Sequence, residues 1–216
     1  MTLTNLAEAR RLFESALDTG SSDARDRYAE RILDAAYAQF SKYGIRRTAL
    51  DDIAKVARVG RMTLYRRFAR REDVISALIL REVRLVFAKV ETAIGACEDL
   101  HERIVEGFLV VVRDLSGHKL ARRLLASDPD ILLPLLTTEA GPLITVGRQF
   151  LAKQIELARG RGNEFALLGA PEHVAELIAR VILSLLLTPS SALPLGDEGA
   201  LRELARRTIV PMIVRT

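Results

Sequence analysis

Residues 48–72, TALDDIAKVARVGRMTLYRRFARRE, gather Arg58, Arg61, Arg66, Arg67, Arg70 and Arg71 around a hydroxyl, Thr63, and a phenol, Tyr65. A guanidinium offers a planar fork of donors and a hydroxyl both donates and accepts, so this set suits recognition of phosphates and base edges rather than bond-making. Across residues 42–71, ten Lys/Arg stand against two Asp, a local balance of +8 in a chain whose net charge is +4. The counter-surface with matching chemistry is nucleic acid.

Other reactive side chains form no comparable constellation. His101, His118 and His173 lack paired-ligand spacing, so no metal site is expected. No GxSxG elbow accompanies the serines, and Cys97 is followed by Glu98 and Asp99, whose charge works against a nucleophilic thiolate. The Gly160-Arg161-Gly162 run has no strand before it and reads as a loop, not a phosphate cradle. No catalysis and no cofactor are expected.

The arginines need a scaffold, and the apolar spacing supplies one. Ile53 with Ala54, Ala57 with Val59, and Leu64 with Phe68 recur at helical intervals, predicting two short helices packed at an angle across a tight turn. At about 100° per residue, Leu64 and Phe68 point inward on the second helix. Met62 and Arg66 then point away, with Arg61, Thr63, Tyr65 and Arg67 on the flanks. Thr48 is the expected cap of the first helix, with Asp51 and Asp52 near the positive end of its dipole.

The run Thr48, Asp52-Ile53-Ala54, Val59, Thr63-Leu64-Tyr65-Arg66, Phe68 and Glu72 resembles the helix-turn-helix of the TetR family of bacterial transcriptional regulators. The resemblance covers roughly residues 24 to 80, and its TLYRxF block is specific. Two positions depart from the family pattern: Arg58 replaces the usual turn glycine, and Gly60 replaces the usual serine cap of the recognition helix. A non-glycine residue forced to positive φ costs on the order of 1 kcal/mol, and glycine caps less well than serine. Met62 stands where the family often has a small residue, so the base preference should be its own. The resemblance implies a homodimer that places Arg61–Arg67 of each subunit in successive major grooves of a palindromic DNA duplex. Thr48, Tyr65 and Arg71 are then candidates for phosphate contact, and Arg61, Met62, Thr63 and Arg66 for reading bases; Gly60 and Arg67 complete the predicted DNA-binding set.

Composition supports an all-α chain. There is no Trp, aromatics make up 5%, and all seven prolines lie at or beyond Pro129. Its 216 residues, 49% hydrophobic, suffice for one large domain or two modest ones. The single cysteine suits a reducing, cytoplasmic setting, residues 1–20 have no signal-peptide core, and the longest apolar block, 181–187, is too short to cross a membrane. Residues 24–84 carry +7, residues 1–23 carry −2 and residues 85–216 carry −1, so a basic N-terminal module precedes a near-neutral body.

The expected organisation is an extension over 1–22, with a short amphipathic helix at 4–18, then a three-helix helix-turn-helix domain over 23–72. A long helix from about 72 to 95 joins it to a helical ligand-binding and dimerisation domain over 73–216. Further helices are expected near 100–115, 119–126, 130–137, 142–158, 172–187 and 201–214. The last two are so apolar that a partner surface is expected, and they resemble the closing helix pair through which the family builds its dimer. The resemblance also implies a small-molecule pocket in the body, where Phe87, Phe108 and Phe150 favour an apolar ligand. It further implies repression as the commoner mode. Two other readings stand beside the regulator: a nonspecific architectural DNA-binding protein, and a ligand-binding protein or enzyme whose basic face is incidental.

Overall fold

The computed structural model describes residues 23–160, 167, 169–188 and 192–214, and within them the chain is helical, with one isolated bridge pairing Leu167 and Val214. In order the helices are α1 (Asp23–Tyr43), α2 (Leu50–Ala57), α3 (Arg61–Arg67), α4 (Arg71–Gly95), α5 (Leu100–Gly117), α6 (Lys119–Ser127) and α7 (Pro129–Leu136). They continue with α8 (Gly141–Gly160), α9 (Pro171–Leu187), α10 (Glu198–Leu204), a π-helical turn (Ala205–Ile209) and α11 (Val210–Ile213). The helix expected at 4–18 lies outside the described residues.

The chain forms two compact units. The first runs to Val83 and takes in Lys119–Pro142; the second comprises Arg84–His118 and Leu143–Thr216. Helix α4 therefore continues from one unit into the other, and α6 with α7 groups with the basic N-terminal elements.

In the first unit, α1 buries Ala29, Ile32, Leu33, Ala35, Ala36 and Phe40, one stripe at helical spacing. Against it lie Ile53, Ala54 and Ala57 of α2, with Leu64 inside α3 and Phe68 at its C-cap. Removing each large side chain from water stabilises the unit by roughly 1.5–3 kcal/mol, which offsets the weak intrinsic stability of helices this short. Gly44 ends α1 at φ +81°, and a Cβ there would meet Asp128 Oδ2 at 2.8 Å, so both conformation and space require glycine.

In the second unit, Val105, Phe108, Leu109 and Val112 of α5 pack with Ile178 of α9 and with Leu201, Ala205, Ile209, Val210 and Val214 of the C-terminal segment. Val86, Val90 and Ile94 form a smaller cluster joined by Phe150. Asp99 caps α5 by accepting the Glu102 N–H (2.9 Å), and Asp197 caps α10 by accepting the Ala200 N–H (3.1 Å). The apolar side of the C-terminal segment is thus spent within its own unit. In α9 the exposed apolar residue is Leu177.

Candidate nucleic-acid interface

The turn between α2 and α3 determines where the arginines go. Arg58 adopts φ 52°, ψ 47°, the left-handed conformation expected where glycine is usual, and it is the one non-glycine residue with positive φ among the described residues. Its N–H closes back on Lys55 O (3.2 Å), and Val59 N–H on Ala54 O (3.0 Å). From α1, Arg31 Nη2 donates to Ala57 O (2.6 Å) and Arg58 O (3.0 Å), placing a cation on carbonyls at the negative end of α2. That contact stabilises the strained turn from outside it.

Helix α3 starts from Gly60, whose extended backbone (φ −65°, ψ 143°) is that of an N-cap without a side chain; Gly60 O accepts from Thr63 and Leu64 N–H (2.9 and 3.1 Å). Leu64 is fully buried. The helical period therefore presents Arg61, Met62, Tyr65, Arg66 and Arg67 outward, all exposed, with Thr63 half-buried on the flank. Met62 is the extreme case at 82% exposure. A flexible apolar side chain standing in water beside guanidiniums contributes little to folding and is available to an external surface.

Two expected phosphate contacts are placed differently. Thr48 does not cap α2: Ala49 occupies the cap position and the Asp52 carboxylate accepts its N–H (3.2 Å). Thr48 is 2% exposed, its hydroxyl donating to Gly44 O (2.8 Å), so it locks the turn before α2 and presents no group to a phosphate. The physical reason is the turn itself: Thr48 N–H donates to Ile45 O (3.2 Å) while its hydroxyl donates to Gly44 O, folding Thr48 back onto the end of α1 as Arg46 and Arg47 stay exposed. Arg71 is half-buried, with Nη1 donating to Ile45 O at 3.3 Å, a long bond that leaves most of its fork available.

The sequence reading missed three contributors. Arg31 is one. Asp51 is the second: its carboxylate accepts from Arg61 Nε (2.7 Å) and from Arg61 Nη2, joining the first turn of α2 to the first residue of α3. Asp128 is the third, and it lies far along the chain. Its buried carboxylate accepts the N–H of Ile45 and of Arg46, each at 3.1 Å, and the Ser127 hydroxyl at 2.6 Å. Burial alone would raise its pKa; the Ser127 hydrogen bond, the two backbone N–H groups and the Arg46 charge together outweigh that and hold it below the usual carboxylate value. Arg46 also pairs with Asp130. Only Asp51 had a findable signal, an acid and an arginine on facing ends of one tight turn; Asp128 had none, since it acts across 82 residues.

Of the ligand candidates, Phe87 and Phe150 come together as stacked rings, centroids 4.0 Å apart and 9° from parallel. Phe108 does not join them; it is buried in the core of the second unit, because the inward stripe of α5 faces the C-terminal segment. Among the described residues no group of three His, Cys, Asp or Glu side chains is arranged to hold a metal ion, and no helix is long and apolar enough to cross a membrane.

Comparison with known proteins bears on the same surface. The family of bacterial regulatory proteins of the tetR type matches residues 32–78, from α1 into α4. The HTH-type transcriptional regulator AlkX of Mycobacterium tuberculosis is 26% identical over 160 residues, 73% of this chain and 72% of that protein. The HTH-type regulator YhgD of Bacillus subtilis is 24% identical over 100 residues, 46% of this chain, and the chain spans only 52% of its length. Among solved structures, the TetR family repressor AlkX from Dietzia sp. superposes with a TM-score of 0.66 at 24% identity, covering 85% of this chain and 93% of that one. The Rhodococcus erythropolis repressor QsdR superposes at 0.63 and 20% identity, covering 87% and 95%. With residues 32–78 matched by the tetR family and the helical fold shared with these structures, the chain is similar to the TetR family of bacterial transcriptional regulators in its helix-turn-helix and in its all-helical architecture.

Proposed function

We propose that this protein is a homodimeric repressor that holds a palindromic operator and releases it when a small apolar ligand binds. The observation that carries the reading is the outward face of α3, where Met62 stands 82% exposed between Arg61 and Arg66. Arginine pairs bidentately with guanine and methionine meets the thymine methyl, so this face is chemically matched to a major groove. Residues 23–72 read DNA in this proposal, with Tyr65 and Arg71 as phosphate contacts, and Gly60 lets the start of α3 approach the backbone closely.

The body, 73–216, carries ligand binding and dimerisation. Helix α9 is the favoured dimer element, since Leu177 is 59% exposed while the C-terminal segment turns Leu201, Ala205 and Ile209 into its own core. The Phe87–Phe150 stack supports an apolar ligand. So does the likeness to the Dietzia AlkX repressor, described as implicated in biodegradation of n-alkanes, and to FadR of Bacillus halodurans, described as a fatty acid degradation regulator. Release requires that ligand bind the DNA-incompetent state more tightly, by roughly 1–3 kcal/mol of coupling.

Selection of random duplexes by the purified protein at near-physiological salt tests the reading. The expected product is a palindrome with half-sites about 34 Å apart, bound at least a thousandfold more tightly than a scrambled duplex. Binding that ignores sequence and merely falls with salt would replace this reading with an architectural one.

A further inference from the structure

Arg61 and Asp51 form an ion pair across the α2–α3 turn, and its geometry bears on what Arg61 can read. Asp51 accepts from Nε at 2.7 Å and from Nη2, which is the side edge of the guanidinium. A guanidinium has five N–H donors in one plane. With Nε–H and one Nη2–H taken, both Nη1–H groups and the other Nη2–H remain, and that Nη2–H with one Nη1–H makes up the outer edge of the fork. That edge has the spacing of guanine O6 and N7. Both side chains are solvent-accessible, Arg61 at 70% and Asp51 at 39%, so the pair lies on the surface that α3 presents outward.

We propose that Asp51 is a positioning residue: it holds Arg61 by its side edge so that the free end meets guanine, and thereby sets a guanine preference at one position of each half-site. An unpaired arginine at the first residue of a helix samples many rotamers and is attracted to any phosphate. Pinned by Asp51, it loses much of that freedom before binding, and its net charge is neutralised, so sequence-independent attraction is weakened while the guanine contact is prepared. The inference rests on the DNA-reading role proposed above.

The test uses the full-length protein, the duplex selected by the wild type, and that duplex with each guanine replaced in turn by adenine or 7-deazaguanine. Dissociation constants are measured for the wild type, Asp51→Asn, Asp51→Ala, Arg61→Ala and the Asp51→Ala/Arg61→Ala double variant. One guanine per half-site should be preferred by about tenfold or more in the wild type and lose that preference in Arg61→Ala. Asp51→Ala should lower the preference at that same guanine to within about twofold of none, Asp51→Asn should fall between, and the double variant should lose nothing further. Preferences at the other base pairs should stay intact, which a merely structural role would not leave so.

Three results would overturn the proposal while leaving the regulator reading in place. Arg61→Ala could leave every guanine preference unchanged. Asp51→Ala could keep the preference that Arg61→Ala abolishes. Asp51→Ala could instead shift affinity for all duplexes by one common factor, in either direction, making the pair a fold contact or an electrostatic brake. A wild-type protein that enriches no duplex would bring down both readings together.

Discussion

On α3, a seven-residue helix without an acid, Arg61, Arg66 and Arg67 are exposed, and Arg61 meets its carboxylate only across the turn, on α2. In the C-terminal segment, Arg202 reaches Glu106, Glu102 and Glu198, Arg206 pairs with Glu102, and Arg207 with Glu203. Both segments read as basic runs on helical faces. The acids of α5 and of the segment itself absorb the second run, so its charge is used in holding one unit together. Charge density does not identify a nucleic-acid surface; an outward helical face that carries arginines and no acid of its own is the better marker.

Asp128 is the sharpest exception inside the basic region, a carboxylate of the inward-facing kind, and its removal should have the largest effect. Asp128→Ala should destabilise the protein by about 2–4 kcal/mol in urea unfolding, because Ile45 and Arg46 N–H lose their acceptor in a buried site. The pH dependence has a defined sign. The folded pKa is held down, so the stabilisation is fully present above the unfolded value of about 3.9 and is lost as pH falls from there through the folded pKa. Asp128→Ala should therefore flatten the acid limb of the stability curve.

On the outward side, Arg66→Ala should weaken binding to the selected duplex by about 1–3 kcal/mol, or roughly 5- to 150-fold, while changing unfolding stability by less than about 0.5 kcal/mol. Arg202→Met should do the reverse. It should lower stability by about 1 kcal/mol, since the arginine is only 28% exposed and serves three glutamates, and leave DNA affinity within about twofold. If Arg202→Met weakened operator binding as much as Arg66→Ala, the contrast between the two segments would fail.

The smallest expected change is a gain. Arg58→Gly should stabilise the turn by about 1 kcal/mol, measured as a higher urea midpoint, because glycine adopts the left-handed conformation without a Cβ clash. A loss instead would mean that the Arg58 side chain makes a contact worth more than the strain.

Much of this was legible from one dimension. The Ile53/Ala54/Ala57 and Leu64/Phe68 spacing predicted both short helices, their inward faces and hence the outward Met62 and Arg66, because a helical period rigidly links the buried stripe to the exposed one. At Arg58 the family resemblance, with glycine usual in that turn, left two outcomes open, a locally different turn or a strained residue, and the structure shows the second. The helix boundaries beyond residue 95 were met to within a few residues, since Pro129, Pro171 and the acids Asp99 and Asp197 mark starts locally.

Tertiary structure alone decided the rest. Thr48 was a plausible cap by type, but the turn after α1 folds it back onto Gly44 O and Ile45 O as an interior lock. Phe108 had the composition of a pocket wall until the C-terminal segment folded over α5. Asp128, in a turn of no local distinction, became the acceptor for backbone groups 83 and 82 residues earlier. Periodicity, propensity and turn type act over a few residues and can be read in order along the chain. Whether a polar or aromatic side chain faces water, a core or a distant N–H depends on which segments the fold brings beside it, and that information exists only once the chain has packed.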